Sequence, residues 1–231
     1  QVVGCSAQAG PVIHHPQQHV ERRGGTGALE ISADIVKELR VKTGAGIMDC
    51  KEALKVSGGN FEKAIDFLRE KGLSAATKKS SRATKDGLVT SYIHMGGKVG
   101  VMIEVNCETD FVAKTENFKT LTRDLAMHVA AMNPFYVKPE DVPETVLQRE
   151  KDIYRKQVLA EGKPEKIADK IVDGKLKKYY EEVCLMKQKF IKDTSQTVED
   201  LIKASIAATG ENILVKRFVR YQLGGDADNA L

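Results

Sequence analysis

Hydrophobic residues change their spacing several times along the chain, and each change marks a predicted element. From Ser32 they recur with a helical period: Ile35, Val36 and Leu39 share one face, and Ser32 is placed to cap it. That helix ends near Thr43 and the Gly44-Ala45-Gly46 turn. A second short helix carries Ile47, Cys50 and Leu54 and stops at Gly58-Gly59. Asn60 caps a third, with Phe61, Ile65 and Leu68 on one stripe and Gly72 after it. Three short helices joined by tight turns predict a small bundle over residues 31–73, whose apolar stripes form its core. Residues 74–85, SAATKKSSRATK, are small, polar and basic, as a linker would be, and the charges of Lys78, Lys79 and Arg82 read as solvated.

After Asp86-Gly87 the period drops to two. Leu88 to His94 reads as a strand, Gly96-Gly97 supplies the positive φ angles of a hairpin, and Lys98 to Asn106 returns with Val99, Val101, Ile103 and Val105 on one face. Thr109 or Asp110 then caps a helix running through Val112, Ala113, Phe118, Leu121, Leu125 and Val129 to Met132, where Asn133-Pro134 ends it. Phe111, at the tip of that helix, either folds back onto the core or stands out as a wedge for a partner. His128 is a lone helical histidine, more often structural than chemical. Phe135-Tyr136-Val137 predicts a brief strand and Pro139 to Pro143 a turn. Polar helices follow over 144–160, 165–172 and 175–183, with Asp173-Gly174 between the last two. Thr197-Val198-Glu199-Asp200 resembles a capping box opening a helix through Leu201, Ile202 and Ile206 to Gly210, and a last strand spans 213–221. The pattern predicts an α+β chain: the bundle, then an α/β core over 86–223 with an antiparallel sheet packed by helices. Residues 224–231 form a tail without pattern.

Composition narrows the function classes. Of 231 residues 42% are hydrophobic, enough for a real core, and no run reaches the ~18 apolar residues of a membrane helix. A net charge of +4 spread along the chain is weak grounds for nucleic-acid binding. Tyr179-Tyr180 beside Lys177 and Lys178 could stack on bases, but adjacent helical residues point in different directions, which favours packing plus exposure. Cysteines at 5, 50, 107 and 184 show no CxxC spacing and fit buried or free thiols in a reducing compartment; no structural metal or cofactor is expected. There is no GxxxxGK[ST] loop and no HExxH, so no catalytic site of its own is visible. Residues 1–30 are rich in Gly and Pro, have no acidic residue before Glu21, and lack periodicity; they are expected to be a disordered leader. The chain opens on Gln1 and is expected to come from a longer precursor, with the leader a weak candidate for a targeting remnant. His14, His15 and His19 there could bind a metal, but a disordered His-rich tract explains them better.

Two stretches carry a resemblance. Thr109-Asp110-Phe111-Val112-Ala113-Lys114, preceded by Glu104-Val105-Asn106-Cys107, is similar to the signature of elongation factor Ts, the nucleotide exchange factor of the translational GTPase elongation factor Tu. Val36-Lys37-Glu38-Leu39-Arg40, Thr43-Gly44-Ala45-Gly46-Ile47-Met48-Asp49-Cys50-Lys51 and Ala53-Leu54 resemble the family's other signature, in the same order and spacing. The resemblance covers about Ser32 to Gly224. It implies that the bundle is of the ubiquitin-associated type and that Arg40, Ile47, Met48 and Lys51 contact the partner's nucleotide-binding domain. It also implies contacts near Lys79, at His128 within Ala126-Met127-His128-Val129-Ala130-Ala131, and at Asp110 and Phe111, the latter as the wedge. The partner implied is elongation factor Tu in its GDP-bound and nucleotide-free states.

The chain resembles the short form of the family, similar to cyanobacterial and chloroplast members. It passes from the helix of Phe111 almost directly into the run around His128, with room for one compact core and none for the protruding coiled coil of long forms. No long C-terminal module follows Gly224, so contacts made by one are expected to be absent. This favours the chloroplast stroma, with the mitochondrial matrix and the bacterial cytoplasm as alternatives. Some short forms act as homodimers, each supplying half of the partner surface. The rival functional reading is a ubiquitin-associated-type adaptor or a ribosome- or RNA-associated protein without exchange activity. An RNA binder would lose affinity steeply with salt.

Overall fold

The computed structural model describes residues 31–225. The leader, with His14, His15 and His19, lies outside the described residues, as does the tail from residue 226.

Side-chain caps open the helices where the sequence places them. Ser32 accepts a hydrogen bond from the Ile35 N–H at the start of α1 (Ala33–Thr43), which Gly44 ends in the left-handed conformation. Helix α2 (Ile47–Val56) follows Gly46, and Asn60 accepts from the Lys63 N–H, 2.9 Å, at the start of α3 (Phe61–Lys79). Val36, Leu39, Cys50, Ala53, Leu54, Ala64 and Leu68 are buried together as the core of this bundle.

Helix α3 does not stop at Gly72 as expected. It runs on to Lys79, through half of the stretch read as linker. The reason is tertiary: Gly72 is buried, and a Cβ on it would stand 3.1 Å from the Ala207 Cβ, so the missing side chain lets α3 lie against a later helix. Arg69 and Asp200 also approach to 3.5 Å across that contact.

Strands β1 (Asp86–Ile93) and β2 (Val99–Cys107) form the expected hairpin, with φ of 89° at Gly96 and 68° at Gly97. β2 also pairs antiparallel with β5 (Leu214–Gln222), giving the order β1-β2-β5. The inner face carries Val101, Ile103 and Val105 and packs on α5 (Glu116–Met132) through Phe118, Leu121, Leu125 and Val129. Helix α8 (Val198–Thr209) adds Val198, Ile202 and Ile206 to the same core, opened by the Thr197 capping box. Each fully buried side chain of this size stabilises the fold by ~1.5–3 kcal/mol. Among the described residues nothing covers the outer face: Val89, Ile93, Met102 and Tyr221 are all exposed.

Other departures have local causes. The helix expected from Thr109 to Met132 is two: α4 (Asp110–Ala113) ends at Lys114, and Thr115 accepts from the Phe118 N–H as the cap of α5. The two helices expected on either side of Asp173-Gly174 are one, α7 (Glu165–Val183). Burial of Ala168, Val172 and Leu176 holds it through the ~1 kcal/mol that an exposed helical glycine costs. With α6 (Glu144–Ala160), α7 forms an antiparallel pair tied by Arg155 to Glu165 and Asp169, so the expected lack of a helical excursion is corrected. Phe135–Val137 is no strand; Tyr136 makes one bridge, to Cys184. A small hairpin, β3 (Lys189–Phe190) with β4 (Asp193–Thr197), has no counterpart in the expected elements.

Candidate partner-binding site

The strand β2 ends in a turn that aims one aromatic ring at solvent. Thr109 adopts extended backbone and its hydroxyl accepts from the Val112 N–H, so α4 starts at Asp110. Phe111 sits in the first turn of α4 and is 79% exposed, which decides between the two readings of it: the ring does not fold back. Asp110 accepts a hydrogen bond from Lys114 one turn on, and this bond holds its carboxyl below the usual carboxylate range. The tip is therefore an apolar ring beside a fixed negative charge.

The bundle presents a second exposed apolar group. Ile47 and Met48 open α2 at 54% and 76% exposure, with Lys51 in the next turn and Arg40 near the end of α1, both exposed. Lys71 of α3 donates to Asp49 and Glu52 on the other side of α2, which steadies that helix. The structure thus brings Arg40, Ile47, Met48 and Lys51 to one corner of the bundle, and Asp110 and Phe111 to one tip of the core. Lys79, half-buried at the end of α3, has its Nζ beside Gly210, 3.9 Å from where a Cβ would stand.

His128 departs from its expected place. It is fully buried, stacked on Phe190 at 6.0 Å between ring centroids, and a direct partner contact is not available to it. The Ile191 N–H donates to Nδ1 at 3.2 Å, so Nε2 carries the proton and donates to Gln188 Oε1 at 3.0 Å. Burial pushes its pKa down, and the ring is neutral. It pins the β3–β4 hairpin to α5, because Lys192 beside Ile191 also donates to Asp124.

Tyr179 and Tyr180 are half-buried against Val142, Leu147 and Val183, in the packing plus exposure expected of adjacent helical residues. Cys50, Cys107 and Cys184 are buried free thiols; burial pushes Cys107 up to about 11 and Cys184 up to about 12. Among the described residues no group of three His, Cys, Asp or Glu could hold a metal ion, and no helix is long and apolar enough to cross a membrane.

The turn at Phe111 is held by residues that sequence reasoning missed. Glu211, in the loop between α8 and β5, accepts from the Glu108 and Thr109 N–H groups and from the Thr109 hydroxyl. Nothing local marks it, since it stands a hundred residues away along the chain.

A family model described as elongation factor TS matches residues 52–225. The chain is 68% identical over 196 residues to the elongation factor Ts of Syntrophus aciditrophicus, covering 85% of this chain and 98% of that protein. It is 58% identical over 194 residues to that of Desulfosudis oleivorans, with 84% and 98% covered. The chain belongs to the elongation factor Ts family. A further elongation factor Ts, from Thermodesulfovibrio yellowstonii, is 54% identical over 200 residues and is covered in full, with 87% of this chain. These relatives are bacterial. The expected chloroplast home rested on the short form, but bacterial elongation factor Ts proteins covered at 98–100% have that form too, so the plastid preference loses its basis.

Proposed function

We propose that this chain promotes release of GDP from elongation factor Tu in the bacterial cytoplasm, as the exchange factor of translation elongation. The observation that carries it is Phe111: an exposed ring on a capped turn, with an ion-paired carboxylate beside it, on an otherwise well-packed core. A ring so exposed adds little to the core and is free to enter a partner.

Exchange needs no catalytic group on the factor. A protein that binds the nucleotide-free GTPase more tightly than its GDP form must, by reciprocity, weaken GDP binding by the same factor. A weakening of ~4 kcal/mol corresponds to roughly a thousandfold. The division of labour follows the exposed groups. Met48 and Ile47, flanked by Arg40 and Lys51, anchor the bundle on the nucleotide-binding domain as an apolar knob in a charged rim. Phe111 enters between helices of that domain and disturbs the site that holds magnesium and phosphate, while Asp110 repels the departing phosphates. Lys79 adds positive charge near the junction of α3 with the core. His128 acts only by holding the β3–β4 hairpin in place. Arrival of GTP restores the displaced elements and releases the factor.

The bare outer face of the sheet supports self-association. Val89, Ile93, Met102 and Tyr221 are exposed on it, an apolar surface that a second copy would cover.

Reciprocity supplies the test. The dissociation constant of the chain for elongation factor Tu is measured with and without saturating GDP, and that of GDP with and without saturating chain. The two ratios are expected to be equal and large. Ratios near one would leave a binding protein without exchange activity.

A further inference from the structure

Helix α4, with the four residues Asp110–Ala113, is a single turn and too short to hold its own direction. Something outside it must fix where Phe111 points. Resting on the exchange reading above, we infer that Glu211 is the positioning residue of the Phe111 wedge.

Three donors of the turn converge on its carboxylate. The Glu108 N–H reaches Oε2 at 3.2 Å, the Thr109 N–H reaches Oε2 at 3.0 Å, and the Thr109 hydroxyl reaches Oε1 at 2.6 Å. The third bond sets the cap. A threonine hydroxyl has one proton, and donating it to Glu211 turns the oxygen lone pairs toward the Val112 N–H, the group Thr109 caps. The exchange is mutual: the Asn212 N–H donates to Glu108 Oε1 at 2.6 Å, so each loop places a carboxylate on the other's backbone. Asn212, 3% exposed, carries the brace further by donating from Nδ2 to the Arg82 carbonyl at 2.9 Å and the Ser80 carbonyl at 3.3 Å. The segment that leaves α3, the loop before β5 and the turn before Phe111 are thus one hydrogen-bonded junction. Glu211 touches neither nucleotide nor partner in this account; it acts through α4.

The test is GDP release from elongation factor Tu over a range of factor concentrations, for the parent, Glu211→Ala, Glu211→Gln, Phe111→Ala and the double variant Glu211→Ala/Phe111→Ala. Loosening the wedge lowers the maximal rate, by about tenfold for Glu211→Ala, while the half-saturating concentration, set by the bundle, moves less than about twofold. Glu211→Gln keeps an acceptor for the two N–H groups but sets an NH2 where Oε1 took the Thr109 proton, so it recovers only part of the rate. In the Phe111→Ala background Glu211→Ala adds less than about twofold, because both act through one ring. Should Glu211→Ala not fold, judged by its urea transition, Glu211→Asp withdraws the oxygens by one methylene and carries the same expectation on a smaller scale. A folded Glu211→Ala protein with the parent's maximal rate, or one whose loss adds in full to that of Phe111→Ala, overturns the assignment. If the parent itself does not accelerate release, the exchange reading fails instead, so the two failures are distinguishable.

Discussion

Acid should destabilise the core through His128. Its ring is fully buried, Nδ1 accepts the Ile191 N–H and Nε2 donates to Gln188 Oε1, so a second proton has no acceptor and would face the N–H group directly. Burial holds the folded-state pKa below the ordinary 6.5. Below pH 6.5 the unfolded chain therefore binds a proton that the folded chain refuses. Stability from this group is complete above that pH, is lost as the pH falls through 6.5, and levels off only below the folded-state pKa. One proton is worth up to about 1.4 kcal/mol per pH unit, hence at most about 2 kcal/mol between pH 6.5 and 5. The assay is urea unfolding followed by circular dichroism at pH 7.5, 6.5, 5.5 and 5.0, for the parent and His128→Gln. The variant starts about 1–3 kcal/mol lower, from imperfect hydrogen bonding and packing, but lacks the acid slope. Carboxylates with lowered pKa, such as Asp193 and Asp200, lose their contribution only at lower pH and do so in both proteins. Parallel curves for parent and variant between pH 6.5 and 5 would refute the neutral, buried histidine.

Three further outcomes follow from the geometry. Met48→Ala is expected to raise the half-saturating concentration for GDP release about tenfold or more, the transfer value of a buried methionine, while leaving the maximal rate intact; a fall in maximal rate alone would contradict an anchoring role. Gly87→Ala should cost roughly 3 kcal/mol or more in urea unfolding. Gly87 has φ of 145°, and a Cβ there would meet the Val105 carbonyl at 2.2 Å, so a transition at the parent's midpoint would mean that β1 does not approach β2 so closely. Tyr221→Lys places a charge on the bare sheet face; if two copies pair there, sedimentation should show the parent as a dimer and the variant as a monomer, and an unchanged mass would rule that face out.

Much of the fold is legible in the chain because its signals are local. Ser32, Asn60 and Thr197 each cap the helix that the sequence assigns to them, Thr109 rather than Asp110 caps the turn that carries Phe111, and Gly96-Gly97 turns the hairpin. The errors arise where packing overrides a local cue. Gly72 looks like a terminator but is a contact surface for Ala207, and Gly174 is carried inside α7 by buried neighbours. Thr115, read as part of a running helix, caps a new one. The two-residue strand β3 is too short to show any period. The same divide holds at the site. Phe111 and Met48 are marked by motifs, but whether a ring is exposed or buried is a property of the tertiary fold: Phe111 proves exposed, and His128 proves to be inside. Glu211 could not be found from spacing at all, since only the β2–β5 pairing brings its loop to the turn before α4.

In the proposed mechanism an exposed phenylalanine on a braced turn opens a GTPase. Stopped-flow release of a fluorescent GDP analogue from elongation factor Tu, with the parent and with Phe111→Ala, tests it most directly. Phe111 is 79% exposed, so the variant should unfold within about 0.5 kcal/mol of the parent. Fast release is expected with the parent and, with the folded variant, a maximal rate lower by about thirtyfold or more, the ~2 kcal/mol of an interface hot spot. A folded Phe111→Ala protein that releases GDP as fast as the parent would contradict that mechanism.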